Sequence, residues 1–229
     1  VGLQNFAALF DSTSAIGKQF GSVLLWTLIW AFFATFLNYI FGMLLALIIN
    51  KKGIKFKKMW RTVFIITIAV PQFVSLMLMS KMLGDVGAIN NILIGLKWIT
   101  EPIHFLTDAN IARVVVIVVN LWVGIPYSML ITSGILMNIP ADLYEASKID
   151  GATPVQQFIH ITLPYMLHVT TPYLITQFVG NINNFNVIFL LTGGDPKSLK
   201  LFQAGETDLL VTWLYKLTVN EHIFNMLLN

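Results

Sequence analysis

The side chains with most chemical capacity in this sequence are amides set in apolar surroundings. Gln177, Asn181, Asn183, Asn184 and Asn186 fall in one run, Val169 to Thr192, that contains no charged residue. Asn120 sits in a second such run, beside Trp122, Gly124, Pro126, Tyr127 and Ser128. An amide donates and accepts hydrogen bonds, so it can serve hydroxyl groups or a neighbouring helix. Left unsatisfied in hydrocarbon it is costly, so each must face another helix or a watery cavity. Other chemistry is missing. Gly193-Gly-Asp-Pro-Lys-Ser shares letters with a phosphate-binding loop but has the wrong spacing, and Pro196 breaks the cradling turn. There is no Cys, hence no disulfide or thiolate site. His104, His160, His168 and His222 stand at no metal-ligand spacing with acidic residues, so no metal site is expected. No catalytic residue is assigned, and the chain is not read as an enzyme.

These groups must be positioned by apolar runs. Hydrophobic residues make up 56% of the chain and charged ones 11%, against about 25% charged in ordinary soluble domains. The composition belongs in a bilayer. Four runs are long enough to span it, at about 20–50, 62–80, 113–137 and 169–192. Pro71 interrupts the second, which predicts a kink or break; broken helices often line substrate paths. Away from the ends of these runs there is no Asp, Glu, Lys or Arg, which argues against a proton-coupled carrier. Residues 1–19 read as an external or interfacial lead-in, with Leu3, Phe6, Leu9 and Phe10 on one face and no signal-peptide pattern.

Lys51, Lys52, Lys55, Lys57, Lys58 and Arg61 form the densest positive cluster. Wedged between two spans, it reads as a cytoplasmic loop under the positive-inside rule rather than as a nucleic-acid patch. Lys81 to Ala109 then lies outside, and its short apolar segment Ile92–Ile99 is expected to rest on the surface. Gly193-Gly-Asp-Pro makes an outside turn. From Lys197 onward the chain reads as loop plus an apolar patch, Leu209–Leu217.

Between the third and fourth runs lies a soluble-looking island, 138–164, that reads as helix, sharp turn, helix. Pro140 suits a first helical position, and Asp142 and Glu145 suit the dipole of a helix start. Leu143, Ala146 and Ile149 make an apolar stripe. Asp150-Gly151 stops that helix, and Thr153-Pro-Val-Gln156 predicts a capping box. Val155, Phe158 and Ile159 give the second helix its apolar face. Counting spans puts the island on the same side as the lysine cluster.

The run Glu145-Ala146-Ser147-Lys-Ile-Asp150-Gly151-Ala152, followed by Phe158, Ile161, Leu163 and Pro164, resembles the EAA loop of bacterial ABC importer permeases. Ser147 stands where the family has a second Ala. The wider order of features, with Val70-Pro-Gln-Phe73, Asn120-Leu-Trp-Val-Gly124-Ile-Pro-Tyr127 and Asn183-Asn-Phe185, is similar to the larger maltose-type carbohydrate permease subunit. This resemblance implies an all-α, polytopic transmembrane bundle of the ABC type I importer class. It implies that residues 138–164 and 51–61 are cytoplasmic, in a bacterial or archaeal cytoplasmic membrane. It implies that the loop docks on a separate ATPase through Glu145, Ala146, Ser147, Asp150, Gly151, Ala152, Phe158 and Pro164.

The partners so implied are two ATPase copies, a second homologous permease, an extracytoplasmic sugar-binding protein and the bilayer. ATP binds the partner, so no cofactor belongs to this chain. In such relatives sugar contacts come from mid-membrane positions that match Asn120, Gly124 and Tyr127, and Gln177, Gly180, Asn181 and Asn184. Asn181 and Asn184 are expected to share a helix face with Gln177. The family's final span is absent, and the chain does not begin with Met, which is expected of a piece of a longer protein. Two other readings stay open: a carrier or channel working without an ATPase, and a membrane scaffold with no transport role.

Overall fold

The computed structural model describes residues 10–11, 15–51, 53–198 and 203–219. The expected face of Leu3, Phe6 and Leu9 lies outside them. Helices dominate, because a backbone in hydrocarbon must satisfy its own hydrogen bonds. They are α1 (Ala15–Asn50), α2 (Lys57–Ala69), α3 (Gln72–Met82), α4 (Ala88–Gly95), α5 (Ala109–Leu136), α6 (Ala141–Ile149), α7 (Pro154–Gln157), α8 (Leu163–Ile182), α9 (Phe185–Leu191) and α10 (Leu210–Val219). A single π-helical turn, Phe158–Thr162, joins α7 to α8. Among the described residues the only β pairing is an antiparallel bridge between Lys197 and Gly205.

By length and composition α1 and α5 can each cross a membrane alone. Two bent pairs can do so together, α2 with α3 and α7–α8 with α9. The first pair breaks at Val70-Pro71, both extended, as Pro71 requires. The second breaks at Asn183-Asn184, where sequence reading expected one continuous helix. Large apolar side chains such as Phe32, Phe41, Val118 and Ile175 stay exposed on these helices, a surface suited to lipid.

The chain divides into two compact units. The first comprises Val1–Ala34, Pro71–Asn120 and Val179–Asn229. Within it α9 packs on α3 and α10. Val23, Ala204 and Trp213 form its apolar cluster with Phe20, Leu210 and Leu217. The segment after α9 is tied down by polar contacts. Trp26 Nε1 donates to the Thr207 carbonyl at 3.2 Å. Arg113 lies over the Trp26 ring and pairs with Glu206 at 2.7 Å. Asp208 accepts from Gly205 N, Thr212 Oγ1 and Lys216 Nζ. In the connection carrying α4, buried Asn90 holds the backbone of Ile103 by two bonds of 2.9 Å.

The second unit comprises Thr35–Val70 and Leu121–Phe178. Tyr39, Met43, Ile139 and Met166 form one apolar cluster, and Ala46, Ile49 and Met129 another. Glycines let α1 and α5 approach closely. A Cβ on Gly42 would fall 2.5 Å from Ser128 Cβ, and one on Gly124 2.7 Å from the Asn38 amide. Small residues at such crossings are the usual means of packing helices in lipid. The end of α1 is held by the basic segment: Lys57 Nζ donates to the Asn50 carbonyl, and Arg61 to Asn50 Oδ1. Cations at a helix C-terminus offset the dipole there.

Candidate functional site

The island between α5 and α8 is a helical hairpin within the second unit. Pro140 occupies the cap position one residue before α6, not the first helical position expected. Asp142 in the first turn and Lys148 in the last suit the helix dipole. Asp150 closes α6, and Gly151 follows at φ 78°, a left-handed conformation that glycine adopts without strain. The capping box is present as predicted. Gln156 N donates to Thr153 Oγ1 at 3.3 Å, and Thr153 N to Gln156 Oε1 at 2.8 Å. Pro154 takes the first helical position of α7.

Four apolar side chains of the hairpin do not face a core. Leu143 and Ile159 are exposed, Val155 is 66% exposed and Ile149 87%. The expected stripe of α6 therefore points away from the rest of its unit. Tyr144 and Phe158 turn inward, packing with Ile161 and Leu163 against the Tyr39, Met43, Ile139 and Met166 cluster. Glu145, Ala146, Asp150, Gly151 and Pro164 are exposed, while Ser147 and Ala152 are half-buried.

Between the two arms lies a cleft of about 300 Å³ lined by Ser147, Asp150, Ala152, Gln156, Gln157 and His160. Sequence reading missed the bonds that cross between the arms. Gln157 Nε2 donates to Ser147 Oγ at 2.8 Å and to the Tyr144 carbonyl at 3.3 Å. Tyr144 Oη bonds Thr162 Oγ1 at 2.8 Å. No short-range pattern announces contacts between residues ten and eighteen apart across a turn.

The amide positions are dispersed between the units. In the first unit, Asn181 lies on α8 and Asn184 caps α9 through Val187 N at 3.3 Å. The shared helix face expected for Asn181, Asn184 and Gln177 is not formed, because α8 ends at Ile182. Asn184 Nδ2 still reaches Asn181 Oδ1 at 3.2 Å, and Trp30 Nε1 donates to the Asn181 carbonyl. The break thus uses the amides to satisfy its own freed backbone groups, a known solution inside membranes. A Cβ on Gly180 would meet nothing within 4 Å. Asn120 is only 5% exposed, and its Nδ2 makes no hydrogen bond among the described residues. In the second unit, Gly124 packs on Asn38, Gln177 is half-buried, and the exposed Tyr127 ring lies 6.4 Å from Tyr173. No cluster of three or more metal-ligating side chains forms among the described residues.

Fold and site together define a polytopic helical membrane protein that carries a polar hairpin between two of its apolar helices. The chain belongs to the family of binding-protein-dependent transport system inner membrane components, whose family model matches residues 38–219. It is 40% identical over 227 residues to the galactooligosaccharides transport system permease protein GanP of Bacillus subtilis, covering 99% of this chain and 54% of that protein. It is 41% identical over 224 residues to the maltodextrin transport system permease protein MdxF of the same organism, covering 95% of this chain and 51% of that protein. The maltose/maltodextrin permease MalF of Salmonella typhimurium is 38% identical, covering 95% of this chain and 42% of that protein. The chain thus spans about half the length of the curated relatives it matches. A crystal structure of a bacterial ABC transporter involved in alginate import shares the fold, with TM-score 0.75 at 24% identity, covering 99% of this chain and 75% of that one.

Proposed function

We propose that this chain forms the membrane-spanning core of a permease subunit in an ATP-driven importer of oligosaccharides. The hairpin of α6 and α7 is its docking element for a separate ATPase. One observation carries this reading: in a chain of this family, a self-capped hairpin stands between two apolar helices with Leu143, Ile149, Val155 and Ile159 exposed. Apolar side chains held out by a rigid scaffold on a polar segment suit a protein partner better than water or lipid.

In this scheme the hairpin and residues 51–61 are cytoplasmic, and two ATPase copies, a second permease and an extracytoplasmic sugar-binding protein complete the importer. Closure of the ATPase dimer moves the hairpin, and the spans rock between inward-open and outward-open. Glu145 fixes the contact with the ATPase. Gly151 permits the bend. The naming of several relatives for maltodextrin or galactooligosaccharide transport supports an oligosaccharide as cargo.

Asn120, Gly124, Tyr127, Gln177, Gly180, Asn181 and Asn184 are the proposed sugar-path positions. Among them Asn120 has a buried donor with no partner among the described residues, and Tyr127 an exposed ring. An amide serves sugar hydroxyls as donor and acceptor. Asn120→Ala is expected to weaken sugar transport about two- to tenfold, the worth of one neutral hydrogen bond. Transport of labelled oligosaccharide into proteoliposomes measures it, and wild-type transport would remove Asn120 from the path.

The coupling role is tested by Gly151→Pro in the full-length protein, reconstituted with its ATPase, second permease and binding protein. Pro cannot adopt the positive φ found there. Sugar-stimulated ATPase activity should fall about tenfold or more, with membrane insertion intact. Normal stimulation would count against the assignment.

A further inference from the structure

We infer that the two arms of the hairpin are locked into one lever by Ser147, Gln157, Tyr144 and Thr162, which act as positioning residues for coupling. This rests on the proposed docking of the hairpin on an ATPase. The exposed Gly151 turn by itself is a weak link between the arms. A Cβ at Gly151 would meet nothing, and the turn's own bonds are three backbone contacts of 2.9–3.1 Å at its base. A load applied to α6 would be lost in that turn unless the arms were joined elsewhere.

They are joined at two levels. Near the turn, Gln157 Nε2 donates at once to Ser147 Oγ and to the Tyr144 carbonyl, and Ser147 Oγ donates back to the same carbonyl at 2.9 Å. Further from the turn, Tyr144 Oη meets Thr162 Oγ1, and Thr162 is buried. All four residues belong to one compact unit.

The second arm continues without a break from Pro154 through the π-helical turn to Ile182. The turn spans Phe158–Thr162, so its last residue is the one Tyr144 holds. A π-turn is a wide, less favourable helical geometry that recurs at functional positions. Bonds between the arms at both ends of this turn make α6 move with α8. The hydroxyl of Ser147 matters here because an alanine at this position would leave Gln157 Nε2 with only the longer of its two bonds.

The test uses the full-length permease with its ATPase, second permease and binding protein in proteoliposomes. The variants are Ser147→Ala, Gln157→Met, the double variant and Ser147→Thr. Gln157→Met keeps the length of the side chain and removes both its donor and its acceptor. Two quantities are read: ATPase retained through purification, and sugar transported per ATP hydrolysed. We expect ATPase retention as in wild type for Gln157→Met, since Gln157 lies outside the docking set. Transport per ATP should fall about fivefold in Gln157→Met and less in Ser147→Ala, with the double variant no worse than Gln157→Met, because Gln157→Met already removes the bond that Ser147→Ala breaks. Ser147→Thr should recover at least half of the loss.

Wild-type transport per ATP in Gln157→Met would overturn the inference, as would additive losses in the double variant. Loss of ATPase from Gln157→Met but not from the wild type would make the brace a docking contact and would also overturn it. Loss of ATPase from the wild type would remove the docking reading and this inference with it.

Discussion

An Asp208→Ala protein is expected to lose about 3–5 kcal/mol of stability, the usual cost of removing one member of a buried, hydrogen-bonded ion pair. The Asp208 side chain is 0% exposed. It accepts from Lys216 Nζ at 2.6 Å, from Gly205 N at 2.7 Å and from Thr212 Oγ1 at 2.8 Å. Without the carboxylate, a half-buried ammonium, a backbone N–H and a hydroxyl lose their acceptor together. These three donors lie on the segment that follows α9 and on α10, so the loss loosens the whole connection rather than one contact. Gly205 is closely packed, since a Cβ there would overlap the Gly194 carbonyl. Thermal unfolding in detergent, followed by tryptophan fluorescence, should shift by about 6–20 °C for a chain of this size. Replacing both Asp208 and Lys216 by leucine should recover only part of the loss, because the Gly205 N–H stays unpaired. An unfolding midpoint within about 2 °C of wild type in the single variant would show that the knot is not a stability element.

Gly42→Leu is the second large effect. The added Cβ would lie 2.5 Å from Ser128 Cβ and 2.8 Å from both Met129 N and Ser128 C. Two of these three atoms are backbone in the middle of α5, which cannot rotate aside as a side chain can. Overpacking of this kind costs about 1–3 kcal/mol and occasionally more, and the backbone clash puts Gly42 at or above the top of that range. The same helices also meet at Gly124, where the neighbour is the Asn38 side chain, so Gly124→Ala should be milder. Gly21→Leu on the same helix is the control, since a Cβ there meets nothing within 4 Å. The yield of monodisperse protein in detergent should fall about tenfold or more for Gly42→Leu, consistent with a loss above 1.4 kcal/mol, and stay near wild type for Gly21→Leu. Equal yields would mean that the close crossing of α1 and α5 is not needed for folding.

Local rules of the sequence carry through where the partners are near in the chain. The Thr153–Gln156 box is legible because both halves lie within one helical turn, and Pro71 announces its break because its ring forbids the helix. Legibility fails where a rule has two outcomes. An apolar stripe such as Leu143, Ala146 and Ile149 usually faces a core, yet here it faces out, and only tertiary context decides between the two. The break at Asn183-Asn184 carries neither Pro nor Gly, so the run reads as continuous until Asn184 is seen capping α9. Contacts across turns, such as Ser147 with Gln157 and Asp208 with Lys216, depend on how the segments fold back and leave no periodic trace. The family, by contrast, is legible from the run 145–164, because the hairpin needs an acid, a Gly turn and an inward aromatic at fixed spacing.

The most direct test of the docking role is a co-purification. The full-length protein is expressed with its genomic neighbours, purified in detergent through a tag, and examined for bound ATPase subunit, then compared with Glu145→Lys. Glu145 is exposed on α6, so a charge reversal there leaves packing within the hairpin unchanged. Stoichiometric ATPase is expected with the wild type and loss of most of it with Glu145→Lys, while both proteins insert and melt alike. Equal retention by the two, or no ATPase on either, would contradict the claim that this hairpin is the docking element.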